Sequence, residues 1–132
     1  MIQKMRVKTE QRVQMVDITS GIQRLIDRAA AKSGIASIFC PHTTAAITIN
    51  ENADASVQSD ICQTLSSLIP HHSRYAHTEG NADAHIKSAL TGSSRTVFID
   101  GGKLCLGTWQ GIFFCEFDGP RTREVWVRIL KD

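Results

Sequence analysis

Apolar and polar residues alternate at the start of the chain: Met5, Val7 and Thr9 fall on one side, then Val13 and Met15 repeat the pattern. A period of two is the mark of a half-buried strand, so residues 1–15 predict two strands of an N-terminal hairpin. The period then lengthens. In "ITSGIQRLIDRAAAKSG" the apolar positions Ile22, Leu25, Ile26, Ala29 and Ala30 recur at helical spacing. Thr19 or Ser20 is placed to cap this helix and Gly34 to end it. Residues 35–39 read as a strand that Pro41 interrupts, and residues 45–50 as the next.

"DASVQSDICQTLSSLIP" carries a second helical stripe, Val57, Ile61, Leu65 and Leu68, stopped by Pro70. The polar loop "PHHSRYAHTEG" holds three of the five histidines. A shorter helix, "NADAHIKSALTG", follows, with Asn81 as N-cap, Gly92 as the residue beyond its end, and Ile86 and Leu90 as its buried stripe. The remainder is strand-like: "RTVFID", a "GG" turn, "KLCLG", "WQGIFFCEF", a "DGPR" turn and "REVWVRIL". Strands, one helix, strands, two helices and strands predict an α+β domain. Its largely antiparallel sheets pack with about three helices, and residues 1–132 form a single domain.

Bulk composition narrows the function. A chain of 132 residues suits one domain, and 42% apolar with 21% charged residues is ordinary for a globular protein. A net charge of +2, with basic residues scattered, argues against nucleic acid as partner. No apolar run approaches a membrane span, and "IQKMRVKTEQ" after Met1 has no apolar core of a signal peptide. Cys40, Cys62, Cys105 and Cys115 form no CxxC and sit in apolar segments, so they are expected to be reduced, buried thiols in a cytoplasmic protein.

The chemistry concentrates around "CPHTTAAITINENAD". In a flat strand His42, Thr44, Thr48 and Asn50 share one face, while Ile47, Ile49 and Glu51 take the other. A polar row on one sheet face can meet a ligand; a solvent-facing row of good strand formers is the plainer alternative. His85 sits near Glu79, Asn81 and Asp83 at a helix start, where free N–H groups favour anions, although simple capping explains Asn81 and Asp83 equally. Asp60 lies at the edge of an apolar helical stripe, placed to orient a histidine or to be a surface acid. Trp109 can stack a ring, Gln110 can read a heteroaromatic edge, and Glu116 can pair with Arg121 or Arg123. His42, His77 and His85 match no metal-binding spacing, so a metal site among them would have to assemble in space.

"HTTAAITINENAD", "EGNADAHIKSALTGSS" and "LGTWQGIFFCEFDGPRTREVWV", in this order and spacing, resemble the YjbQ-like proteins, also named the secondary thiamine-phosphate synthase family. The matched positions are His42, Thr43, Thr44, Asn50, Glu51, Asp60, His77, Asn81, His85, Gly107, Trp109, Gln110, Glu116 and Arg121. The resemblance implies a compact α+β fold and a homotrimer with sites near subunit boundaries. It also implies a secondary ability to couple hydroxymethylpyrimidine diphosphate with thiazole phosphate. The leading expectation is therefore a cytoplasmic enzyme acting on a small phosphorylated metabolite. His42, Glu51, Asp60 and His85 are its candidate catalytic residues. Thr44, Asn50, Asn81, Trp109, Gln110 and Arg121 are its candidate substrate contacts. A divalent metal ion, Mg or Zn, is a candidate partner for His42, His77 and His85; no organic cofactor is expected. The alternatives are a metal-dependent hydrolase built on those three histidines and a non-catalytic trimer that captures a metabolite.

Overall fold

In the computed structural model, which describes residues 1–132, two antiparallel sheets face each other. The larger has the order β1 (Gln3–Lys8), β8 (Thr122–Lys131), β3 (Ser33–Phe39), β5 (Ser94–Asp100), β6 (Lys103–Leu104). The smaller has the order β2 (Gln14–Asp17), β7 (Gln110–Glu116), β4 (Ala45–Glu51). The α+β class with largely antiparallel sheets and three helices is as the sequence predicts. The N-terminal hairpin is not: β1 pairs with β8 and β2 with β7, so the two strands enter different sheets. Alternation announces a strand but not its neighbour.

The core lies between the sheets. Ala36, Ile38, Val97, Ile99, Val125 and Val127 of the large sheet meet Ala45, Ile47, Ile112 and Phe114 of the small one. Helix α1 (Thr19–Ala29) closes this space with Ile22, Leu25 and Ile26. Its start is capped from outside by Asp17, whose Oδ1 accepts the Thr19 N–H at 2.9 Å, rather than by Thr19 or Ser20. Its end is Ala30 in a left-handed conformation. Gly34 does not stop the helix; it lies within β3, where a Cβ would fall 2.0 Å from the Leu130 carbonyl oxygen.

The outer face of the small sheet carries a second apolar group, Ala46, Phe113, Cys115 and Phe117, with Ala84 and the half-buried Leu65. Helices α2 (Ala55–Leu68) and α3 (Ala82–Thr91) lie over this face. Asp54 caps α2 by accepting the Ser56 N–H at 2.9 Å. Yet α2 has no buried residue. On α3 the predicted stripe is reversed: Ile86 and Leu90 are exposed, while Asp83, Ala84, Lys87 and Ser88 are buried. The Ser88 hydroxyl donates to the Ala45 carbonyl at 2.6 Å and fixes α3 on β4. The polar face packs because its charges are paired, as described below.

Candidate functional site

The pairing of β4 with β7 separates the predicted site residues into two groups. Ala45 stands opposite Glu116 at one end and Glu51 opposite Gln110 at the other. Six residue steps along a strand span about 20 Å. His42 and Glu51 therefore do not share one mouth, contrary to expectation.

At the Glu51 end, Asn50 faces Gly111 across the ladder. Gln110 Oε1 accepts the Gly107 N–H at 2.8 Å, which stiffens the turn before β7. Trp109 stands in that turn, not in a strand, and is 62% exposed. Its carbonyl accepts the Asn52 N–H at 3.0 Å. An indole held out this way is free to stack on a ring.

At the opposite end, Glu116 is fully buried and Arg123 nearly so. Arg123 Nε donates to Glu116 Oε1 at 2.8 Å and its Nη2 to Glu116 Oε2, making a two-pronged pair. Thr9 Oγ1 donates to the same carboxylate at 2.8 Å, and the Asp118 N–H at 3.1 Å. Burial opposes ionisation of Glu116, but Arg123 and these two donors outweigh it and hold its carboxyl below the usual range. Thr44 belongs to this network. It is buried and its hydroxyl accepts from Arg123 Nη2 at 2.9 Å, so it does not face a ligand. Arg121 turns away from Glu116 and binds Asp118 instead, through Nε to the carbonyl at 2.7 Å and Nη2 to Oδ2 at 3.0 Å.

His42 is tied to the same corner. Its Nε2 accepts the Glu124 N–H at 3.0 Å. A backbone N–H can only donate, so this nitrogen is unprotonated and the neutral ring carries its proton on Nδ1. Burial and then the Arg123 charge push its pKa below the ordinary imidazole value. The ring meets Phe114 edge-on at 6.4 Å. With Nε2 committed, His42 is poorly suited to donate a proton from that atom.

The third place is the start of α3. Asn81 precedes the helix, but its side chain makes no capping bond; Nδ2 donates to Asp118 Oδ2 at 2.9 Å and Oδ1 is buried without a partner. Asp83, read as a dipole partner, is a buried ion. Burial opposes its charge, but Arg12 at 3.0 and 3.1 Å and Lys87 at 3.1 Å hold the carboxyl below the usual range. Two residues beyond Asp83, His85 meets His77 from the loop, ring centroids 5.2 Å apart and planes at 83°. Both line a cavity of about 350 Å³ with Tyr75, Ala76, Ala82 and Ile86. Glu79 lies 3.8 Å from His77 Nε2.

So the fold brings two of the three expected metal ligands together and leaves out His42. No three His, Cys, Asp or Glu side chains gather within the chain as a metal site. Two imidazoles supply two positions of a zinc shell that takes three or four protein ligands, so a complete site does not fit one chain. Asp60 is exposed, on the outside of α2 beside Val57 and Thr64, and orients no histidine. Tyr75 and Ala76 as cavity walls were not foreseen. The available signal was the histidine-rich loop between the helix stop at Pro70 and the helix start at Asn81.

These features define a small α+β protein with paired antiparallel sheets and a histidine pair at a helix start. The chain belongs to the UPF0047 family of YjbQ-like proteins, whose family pattern matches residues 3–132. It is 57% identical to UPF0047 protein MJ1081 of Methanocaldococcus jannaschii over 100% of this chain and 96% of that protein. It is 46% identical to UPF0047 protein YugU of Bacillus subtilis, over 98% and 99%. The crystal structure of a YjbQ/UPF0047 protein from Clostridium acetobutylicum superposes with a TM-score of 0.95 at 50% identity, covering 97% of this chain and 99% of that one. Hypothetical protein APE1520 of Aeropyrum pernix superposes equally well at 35% identity, over 100% and 99%. No helix is long and apolar enough to cross a membrane.

Proposed function

We propose that the protein is an enzyme acting on a small phosphorylated heterocycle, with a thiamine-phosphate synthase-like coupling as the specific reaction. The observation that carries this reading is the edge-on pair His77 and His85 at the wall of an open cavity large enough for a metabolite. In the coupling, the thiazole nitrogen bonds to the pyrimidine methylene carbon. The carbon–oxygen bond to diphosphate breaks, and pyrophosphate leaves with the electron pair. Imidazole is the side chain whose charge changes near neutral pH. His85 or His77 as imidazolium stabilises the departing anion and protonates its oxygen. Glu79 Oε2 lies 3.8 Å from His77 Nε2. No lysine or arginine lines the cavity, so this charge falls to the histidines or to a divalent ion completed from elsewhere.

A homotrimer answers the separation of the two strand ends. A site that uses Asn50, Glu51, Trp109 and Gln110 together with His85 needs both ends of the ladder, and two copies can supply one each. All four cysteines are free, which supports a reducing compartment such as the cytoplasm.

The test is incubation of purified protein with hydroxymethylpyrimidine diphosphate, thiazole phosphate and Mg²⁺, with detection of thiamine phosphate. Product is expected from wild type and none from a folded His85→Ala variant. Undiminished turnover in that variant would remove the histidine pair from the chemistry. Light scattering should give the mass of three chains.

A further inference from the structure

Behind α2, away from the histidine cavity, lies a second space of about 290 Å³ on the outer face of the small sheet. Thr48 and Asn50 of β4 form its floor with Cys115, Leu65 and Cys62 of α2 its roof, and Phe117 one side. No Asp, Glu, Lys, Arg or His lines it. Burial pushes the Cys115 thiol up to about 12 and raises that of Cys62 against the pull of Lys87, so the wall is uncharged at neutral pH. Two polar groups stand open. Asn50 Oδ1 accepts the Glu51 N–H at 2.7 Å, and neither its Nδ2 donor nor the Thr48 hydroxyl has a partner in the chain, although both residues line the space.

Size and chemistry together select a ligand. An apolar cavity of roughly 150 Å³ accommodates benzene, so about twice that volume suits two fused rings. A charged guest would lose its hydration with nothing to offset the loss. A neutral ring with acceptor nitrogens on one edge satisfies Nδ2 and the hydroxyl, and presents its faces to Leu65 and Phe117. We infer that the space behind α2 is a binding site for an uncharged, flat, bicyclic heteroaromatic ring. The space shares Asn50 with the site proposed above, but the inference rests on its own lining and not on the reaction His77 and His85 perform.

The experiment uses quinazoline as probe and iodoacetamide alkylation read cysteine by cysteine by mass spectrometry. Quinazoline is expected to slow alkylation of Cys62 while leaving the exposed Cys105 unchanged. Thr48→Val keeps the shape and removes the hydroxyl, and should weaken the protecting concentration about three- to tenfold, the worth of one hydrogen bond. The Met15 methyl NMR signal, from the same lining, provides a reading that needs no thiol reactivity: a saturable shift is expected. Absence of both protection and shift at millimolar quinazoline overturns the site. Equal protection in Thr48→Val and wild type overturns the assignment of the polar edge.

Discussion

Replacing Arg123 with methionine removes the guanidinium that neutralises Glu116 and keeps most of the side-chain volume. The perturbation is severe because neither partner reaches water: the side chains are 6% and 0% exposed. After the change Glu116 keeps only the Thr9 hydroxyl at 2.8 Å and the Asp118 N–H at 3.1 Å. Thr44 loses its donor as well. Breaking a buried pair from one side costs about 3–5 kcal/mol. For a chain of this size that is a fall in melting temperature of roughly 10–20 °C. The double variant Arg123→Met/Glu116→Gln removes the stranded charge and should lose far less than the sum of the two single changes. Urea unfolding of all four proteins at one fixed protomer concentration gives the coupling. The single variant should also regain part of its deficit as pH falls and Glu116 takes up a proton. A cost under about 1 kcal/mol for Arg123→Met, or strict additivity in the cycle, would refute the view that this pair is a desolvated ion pair holding the sheet corner.

Two further outcomes follow from single positions. Gly34 has φ of +140° and its missing Cβ would meet the Leu130 carbonyl, so Gly34→Ala should cost at least about 2 kcal/mol; an unchanged urea midpoint contradicts this. His42 titrates below the ordinary 6.5 in the folded chain. Between the two values the unfolded chain binds a proton that the folded chain refuses. Its stabilising contribution is therefore complete above 6.5 and declines as pH drops from there towards the folded value. An NMR titration of the ring should have its midpoint below 6.5 and move up in Arg123→Met, since that charge is one cause of the depression; a wild-type midpoint at or above 6.5 contradicts the assignment.

Much of this architecture was legible because apolar periodicity reports local geometry. β4, α2 and β5 fall where the pattern places them. What periodicity does not carry is pairing, and the hairpin between β1 and β2 failed for that reason. Nor does it carry charge compensation: Asp83 reads as a helix-start residue, yet with Lys87 one turn on and Arg12 from 71 residues away it belongs to the buried side of α3. The same holds at the site. The face shared by Thr48 and Asn50 was visible in the strand period, and both do line a cavity. The fate of His42 and Thr44 was not, because their partners Glu124 and Arg123 come from the far end of the sequence. Cys105 was expected to be buried and is exposed: its N–H donates to the carbonyl of Phe98 at 2.8 Å, and Phe98 is itself exposed at this edge of the large sheet. His77 and His85 are eight positions apart across a loop and a helix start, and only the folded loop reveals that they touch.

Helix α2 has 14 residues and buries none of them completely. Most helical stability in proteins comes from packing of a covered face, and this element has little. Amide protection should consequently be weakest there, with the two sheets still intact when α2 detaches. Peeling this one segment exposes Thr48 and Cys115 without unfolding the sandwich, so molecules wider than the resting gap gain a route inward at the cost of a local opening rather than a global one.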